Sequence, residues 1–229
     1  MPARRSGADT HADNGAAVLF DVDGVLVDSS AAYRRVWHRW ARHRGLDPAL
    51  VWAHTHGRRP IDTIALVAPL LDADGEYRLL RDFTAAEGDA FPVYPDALAV
   101  LTARRHHRWG VVTSGRAAVV LDRLRAGGLP APPVLVDSAQ VRLGKPHPEG
   151  YLRAADLLHT SPRRCLVVED APVGVHAARA AGMTVVALTT THAAADLTAA
   201  HHTVATLGDA EPLIARWLSR ATRTNSIDA

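Results

Sequence analysis

Two aspartates, Asp21 and Asp23, stand at the end of a short apolar run, Ala16–Phe20. On a strand, side chains two apart point to one side. Such a pair repels unless one member is protonated or a cation lies nearby. A hard divalent ion with oxygen ligands would relieve the repulsion. A loop with two solvated aspartates is the alternative for a lone Asp-x-Asp. Three further groups follow short apolar runs. Thr113-Ser114-Gly115 follows Val111-Val112 and offers two hydroxyls and backbone N–H groups near a helix start, a phosphate-binding environment. Lys145 lies beyond the third run, in Gly144-Lys145-Pro146-His147-Pro148, and Glu169-Asp170 closes the fourth, with Gly174 further on. Each group alone is weak evidence; four in order, each after its own run, define a site.

Rival motifs fail on spacing. An EF-hand loop from Asp21 would need oxygen ligands where Val25 and Ala32 stand. A P-loop ending at Lys145 would need Gly and Ser or Thr where Ala139 and Pro146 stand. A serine-hydrolase elbow on Ser114 would need glycines in place of Val112 and Arg116.

The elements that must hold these groups are legible as an alternation. Apolar runs at Ala16–Phe20, Gly110–Thr113, Pro133–Val136, Cys165–Val168 and Thr184–Leu188 are too short for helices, and Thr203–Leu207 is a weaker sixth. Helical stretches at Asp96–Arg105, Arg116–Ala126, His147–Leu158 and Val173–Ala181 separate them, and Gly182 closes the last as a C′ residue would. The pattern predicts an α/β fold, a Rossmann-like parallel sheet with helices on both faces, whose ligands sit beyond the carboxyl ends of the strands. Residues 30–94 break the rhythm. Trp37, Trp40 and Leu46 predict one amphipathic helix, and Ile61–Leu71 and Glu76–Phe91 others, so this segment reads as an inserted α-helical domain between core residues 16–29 and 95–218. Its first half, 31–59, sums to +6 and its second, 60–96, to −6, which two helix faces pairing with each other would explain. Residues 1–15 and 219–229 read as disordered tails.

Composition narrows the function. The 229 residues are 48% hydrophobic and 22% charged, which excludes wholesale disorder. A net charge of +2 is too mild for a nucleic-acid footprint, although the isoelectric point is near 9.0. One cysteine, Cys165, excludes an internal disulfide framework and fits a reducing compartment. No apolar run spans a membrane, and no secretory segment follows Arg4-Arg5, so the cytoplasm is expected. Of the 26 basic residues, one is a lysine, Lys145. Drift would account for it. So would a need for a compact ammonium that Arg's planar fork cannot replace.

Here the chain resembles a known family. Phe20-Asp21-Val22-Asp23-Gly24-Val25-Leu26-Val27-Asp28-Ser29 is similar to the first signature of the haloacid dehalogenase superfamily. Thr113-Ser114-Gly115 resembles its second, Lys145 in Gly-Lys-Pro-x-Pro its third, and Glu169-Asp170-Ala171-Pro172-x-Gly174 its fourth. The likeness covers residues 16–190, and the insertion resembles the cap of the sugar-phosphatase and β-phosphoglucomutase subgroup. The resemblance implies phosphoryl transfer to Asp21 with Mg²⁺ as cofactor. Metal ligands would be the Asp21 side chain, the Asp23 carbonyl and Asp170, with Glu169 binding directly or through water. Asp23 would be general acid and then general base. Thr113 and the amides near Ser114 would bind phosphate oxygens, and Lys145 would hold nucleophile and phosphate. Asp23 and Glu169-Asp170 would have no use in a metal-free dehalogenase.

His54-Thr55-His56-Gly57-Arg58-Arg59-Pro60 resembles the subgroup's substrate-facing cap loop, which would give His56 and Arg58 sugar hydroxyls to bind. An ordinary basic connecting loop is the alternative. Mutases of the subgroup carry a His where Tyr33 stands and an Arg where Pro60 aligns, so water is the expected acceptor. A phosphatase of the 2-deoxyglucose-6-phosphatase and glycerol-phosphatase type comes first, an isomerase second, and a non-catalytic phosphometabolite-binding regulator third. The expected partner is a small phosphorylated molecule, with no nucleic acid or membrane, and the protein a monomer or weak homodimer. Other residues have plainer readings: Ser114 as a helix N-cap, Glu149 as a first-turn charge, Cys165 as core, and the five tryptophans as packing, with Trp52 the least settled.

Overall fold

The computed structural model describes residues 15–88 and 91–224, with the side chains of 221–224 excepted. Six strands form one parallel sheet: β1 (Ala17–Phe20), β2 (Arg108–Val112), β3 (Leu135–Val136), β4 (Cys165–Glu169), β5 (Thr184–Leu188) and β6 (His202–Val204). Their order is β3-β2-β1-β4-β5-β6, so β1 is central and the chain leaves it in both directions. Phe20 is level with Val111 on one side and Val168 on the other, which brings the ends of three strands to one edge.

Every residue of β1 is fully buried, as a strand covered on both faces requires. Alternate side chains serve opposite layers. Val18 and Phe20 join Trp109, Val111, Leu166 and Val168 beneath α5 (Ala97–Ala103), α6 (Ala117–Ala126) and α9 (Leu207–Thr224). Ala17 and Leu19 join Val136, Cys165 and Val167 against α7 (Glu149–Leu157) and α8 (Pro172–Ala180). Full burial of a side chain the size of Leu19 or Phe20 contributes about 1.5–3 kcal/mol.

Four helices lie between β1 and α5: α1 (Ser30–His43), α2 (Pro48–Trp52), α3 (Pro60–Val67) and α4 (Ala73–Ala85). Trp37, Trp40, Val51, Ile64 and Leu80 form a cluster of their own there. The opposite charges pair as expected. Arg44 and Arg35 of the α1 region reach Glu76 and Glu87, at 2.7 and 2.5 Å. The two crossings to the sheet are tied together, with Asp28 N donating to Pro92 O at 2.8 Å and Tyr94 N to Leu26 O at 3.0 Å.

Several boundaries differ from expectation. Asp47 and Asp72 cap α2 and α4 by accepting from Ala49 N and Gly75 N. Helix α2 is not foreseen in the sequence, and Leu46 lies outside α1. The sixth strand ends at Val204, because Leu207 already opens α9. That helix continues to Thr224, so residues 219–224 are helical rather than a tail; the other terminal tail expectations lie outside the described residues, except at Gly15. No helix among the described residues is long and apolar enough to cross a membrane.

Candidate active site

The four sequence groups meet at the carboxyl edge of the sheet. Lys145 is the hub. Its Nζ donates to Asp21 Oδ1 and Glu169 Oε1, both at 2.6 Å, and lies 3.4 Å from Val112 O. Tyr151 Oη also donates to Glu169 Oε1, at 2.8 Å, and the backbone N–H groups of Asp170 and Ala171 donate to Oε2. Glu169 is therefore enclosed by donors on both oxygens. Burial works to raise its pKa, but Lys145 and these hydrogen bonds outweigh that and hold it low. Burial likewise disfavours the Lys145 ammonium, and the two carboxylates beside it override the effect and keep it charged.

Asp21, Glu169 and Asp170 place carboxylate oxygens within 4.8 Å of one another, all buried. Burial pushes Asp21 up to about 7 against the pull of Lys145, with Glu169 and Asp23 adding to the rise. Burial, Glu169 and Asp21 push Asp170 well up. One ammonium is too little positive charge for three buried carboxylates. An all-oxygen cluster with this deficit fits a hard divalent cation. Asp21 and Asp170 are the better placed to ligate, since Glu169 is committed to Lys145, Tyr151 and the backbone.

Gly24, at φ +85°, lets the turn after Asp23 pass against Asp170; a Cβ there would strike its carboxyl group. Asp170 Oδ2 also accepts from Thr191 Oγ1, and His192 Nδ1 lies 3.1 Å from Asp170 O. Thr113 Oγ1 accepts from Gly115 N at 3.0 Å, in the strand-to-helix turn. Ser114 is not a helix cap. Helix α6 begins three residues later, at Ala117, Asp137 Oδ2 accepts from Ala117 N, and Ser114 Oγ instead donates to Gly57 O at 2.7 Å.

That bond joins the 54–60 loop to the sheet edge. Gly57, at φ +70°, sits so close to α8 that a Cβ would lie 2.7 Å from Val173 Cγ2 and 2.9 Å from Ala171 Cβ. Arg59 pairs with Asp62 and donates to Val141 O in the loop leading to Lys145. His56 stacks edge-on against Trp52 at 4.4 Å and His192 at 4.9 Å; burial, helped by His192, pushes its pKa down to about 4. Between the loop and the carboxylates lies an open cavity with about 660 Å³ of empty space, part of it continuous with solvent, lined by Asp21, Asp23, Asp170, Tyr33, Trp52, His56 and Arg58 among others. Trp37 lines it too, so two of the five tryptophans face the cavity rather than packing alone.

The plainer readings hold elsewhere. Glu149 accepts from Arg142 N and Leu143 N and so braces the Lys145 loop. The Cys165 thiol is buried and pushed up to about 12, far from a reactive thiolate. Sequence reasoning missed Tyr151, Thr191, His192 and Arg123. The last has its guanidinium 3.7 Å from Asp23 Oδ1. Only the Thr189-Thr190-Thr191-His192 run after β5 could have been suspected, as a polar cluster at a strand's carboxyl end.

A parallel sheet with a helical insertion after β1 and acids, hydroxyls and a lysine at one edge defines a hydrolase class. The profile of the haloacid dehalogenase-like hydrolases matches residues 16–182, and the chain belongs to that family. It is 42% identical over 175 residues to hexitol phosphatase A of Escherichia coli, covering 74% of this chain and 81% of that one. It is 31% identical to glycerol-1-phosphate phosphohydrolase 2 of Saccharomyces cerevisiae, covering 76% and 75%. In fold it is similar to a β-phosphoglucomutase from Clostridium difficile, with a TM-score of 0.79 at 18% identity, covering 90% and 98%.

Proposed function

We propose that the protein is a Mg²⁺-dependent phosphatase that hydrolyses a small sugar or polyol phosphate through an aspartyl-phosphate on Asp21. One observation carries this reading: Asp21, bonded to Lys145 and close to Asp170, lines with Asp23 and Asp170 a cavity whose opposite wall is residues 55–58 and 60 of the 54–60 loop. The phosphatase names of the relatives at 42% and 31% identity support it.

A carboxylate oxygen of Asp21 attacks phosphorus as the bond to the substrate oxygen breaks. Asp23 gives its proton to the departing alkoxide. Water then attacks the aspartyl-phosphate, Asp23 takes the water's proton, and phosphate leaves with Asp21 restored. Burial raises the pKa of Asp23 against the pull of Arg123, which suits a carboxyl that must hold a proton. Lys145 fixes the nucleophile and faces the transferring oxygens. Thr113 and the Ser114 amide serve the other oxygens. Asp21, Asp170 and the Asp23 carbonyl would hold Mg²⁺, with Glu169 acting on Lys145. When bound, the ion neutralises charge between nucleophile and phosphate. The α1–α4 segment acts as a cap, excluding water and presenting Trp52, His56 and Arg58 to the leaving group. The single free thiol, Cys165, suits the cytoplasm.

The test is a panel of sugar and polyol phosphates with Mg²⁺. Phosphate release supports the reading. Conversion of β-glucose-1-phosphate to glucose-6-phosphate without release would make the protein a mutase, and phosphometabolite binding without turnover a regulator.

A further inference from the structure

Asp23 Oδ1 is buried and has no hydrogen-bond partner. The cation nearest to it in the ion-pair geometry is Arg123 of α6, whose Nη1 stands 3.7 Å away. Arg123 is itself held from three sides. Its Nη1 donates to Tyr33 Oη at 2.8 Å. Its guanidinium lies 3.5 Å from the centre of the Phe91 ring and 5.1 Å from that of Tyr33. Those two rings pack edge to face at 5.5 Å. The Arg123 side chain is only 9% exposed.

These contacts make a specific arrangement. Tyr33 comes from α1, just after the first crossing between sheet and helical segment, and Phe91 lies on the second crossing. A carboxyl group that gives and takes a proton cannot commit its reacting oxygen to a strong hydrogen bond. It also cannot stay buried without compensation. A guanidinium tied by Nη1 to Tyr33 and fixed beside Oδ1 at 3.7 Å, beyond bonding distance, meets both needs. Lysine would serve only in part. A flexible ammonium cannot stack on two rings and bond a phenol at once.

We propose that Arg123 is a positioning residue that holds Asp23 for proton transfer, keyed in place by Phe91 and Tyr33. The proposal rests on the phosphatase reading above. It assigns Tyr33 a task as well: its hydroxyl orients Arg123 and does not transfer a proton itself.

Phosphate release with Mg²⁺ from the best substrate of the panel would be measured for the wild type, R123M, R123K and Y33F. R123M should lose at least about thirtyfold in kcat while KM stays within about threefold, because proton transfer is impaired and binding is not. R123K should recover at least about threefold of that loss, and Y33F should lose about three- to tenfold in kcat. If R123M does not fold, R123K and Y33F decide: kcat at least about threefold below wild type at unchanged KM supports the proposal. If the wild type turns over and every folded Arg123 variant keeps kcat within about twofold, or shows its loss in KM alone, the positioning role is overturned and the phosphatase reading stands. A wild type that releases no phosphate from any member of the panel overturns both.

Discussion

Replacing Lys145 separates charge from shape at the centre of the site. Its Nζ lies 2.6 Å from both Asp21 Oδ1 and Glu169 Oε1, and the residue is 7% exposed. K145M leaves two buried carboxylates facing each other. Removing one partner of a buried ion pair costs about 3–5 kcal/mol, so unfolding free energy without metal should fall by that amount at neutral pH. The pH dependence has a fixed sign. Unpaired carboxylates take folded-state pKa values above their unfolded ones, so the folded form binds more protons and its stability falls as pH rises. K145M should therefore be closer to wild type at acid pH than at neutral pH. K145R keeps the charge but puts a planar fork where a compact ammonium fits. It should cost about 1–3 kcal/mol through overpacking. Its kcat should fall at least about a hundredfold, the scale of losing one well-placed electrostatic contact. Urea unfolding at two pH values and phosphate release with Mg²⁺ provide the numbers. A K145R enzyme within about fivefold of wild type in kcat would refute the claim that the chain's one lysine is there for its shape.

Other outcomes follow from the same geometry. Mg²⁺ at about a hundred times its dissociation constant should stabilise the fold by about 2.7 kcal/mol, and D170N should abolish that shift in thermal unfolding; chelation should abolish phosphate release. His56 has a folded pKa of about 4, below its unfolded value, so protonating it opposes folding. Stability should fall by up to about 2 kcal/mol between neutral pH and pH 5, and H56Q, compared by urea unfolding, should lose less over that range. G57A forces a Cβ against Val173 at a positive φ; it should cost about 1–2 kcal/mol in unfolding and about tenfold in kcat/KM, read from progress curves at low substrate.

The parallel sheet was legible because strands buried on both faces are continuous apolar runs, and each site group follows one of them. Asp21, Thr113 and Asp170 directly follow β1, β2 and β4, and Lys145 lies on the loop after β3. Contacts across the chain were not legible. Tyr151 reaches Glu169 from α7, and Arg123 reaches Asp23 from α6. Both residues sit in helices where a tyrosine or an arginine is unremarkable. Ser114 looked like a cap because a hydroxyl before a helix often is one; its bond to Gly57 O depends on how the helical segment docks. Trp37 has the helical spacing of a packing residue and Trp52 closes the short helix α2, and which part of such a side chain faces a cavity is set by the fold. Helix α2 has only five residues and too little periodicity to read, although Asp47 before Pro48 marks its start.

Under the proposed function, phosphate passes through Asp21. During turnover with Mg²⁺ the enzyme can be quenched, reduced with borohydride and digested, so that an aspartyl-phosphate is recovered as homoserine by mass spectrometry. Homoserine is expected at position 21 in the wild type, and neither homoserine nor phosphate release in D21N. Phosphate release with no modification at position 21, or undiminished turnover by D21N, would contradict that route through Asp21.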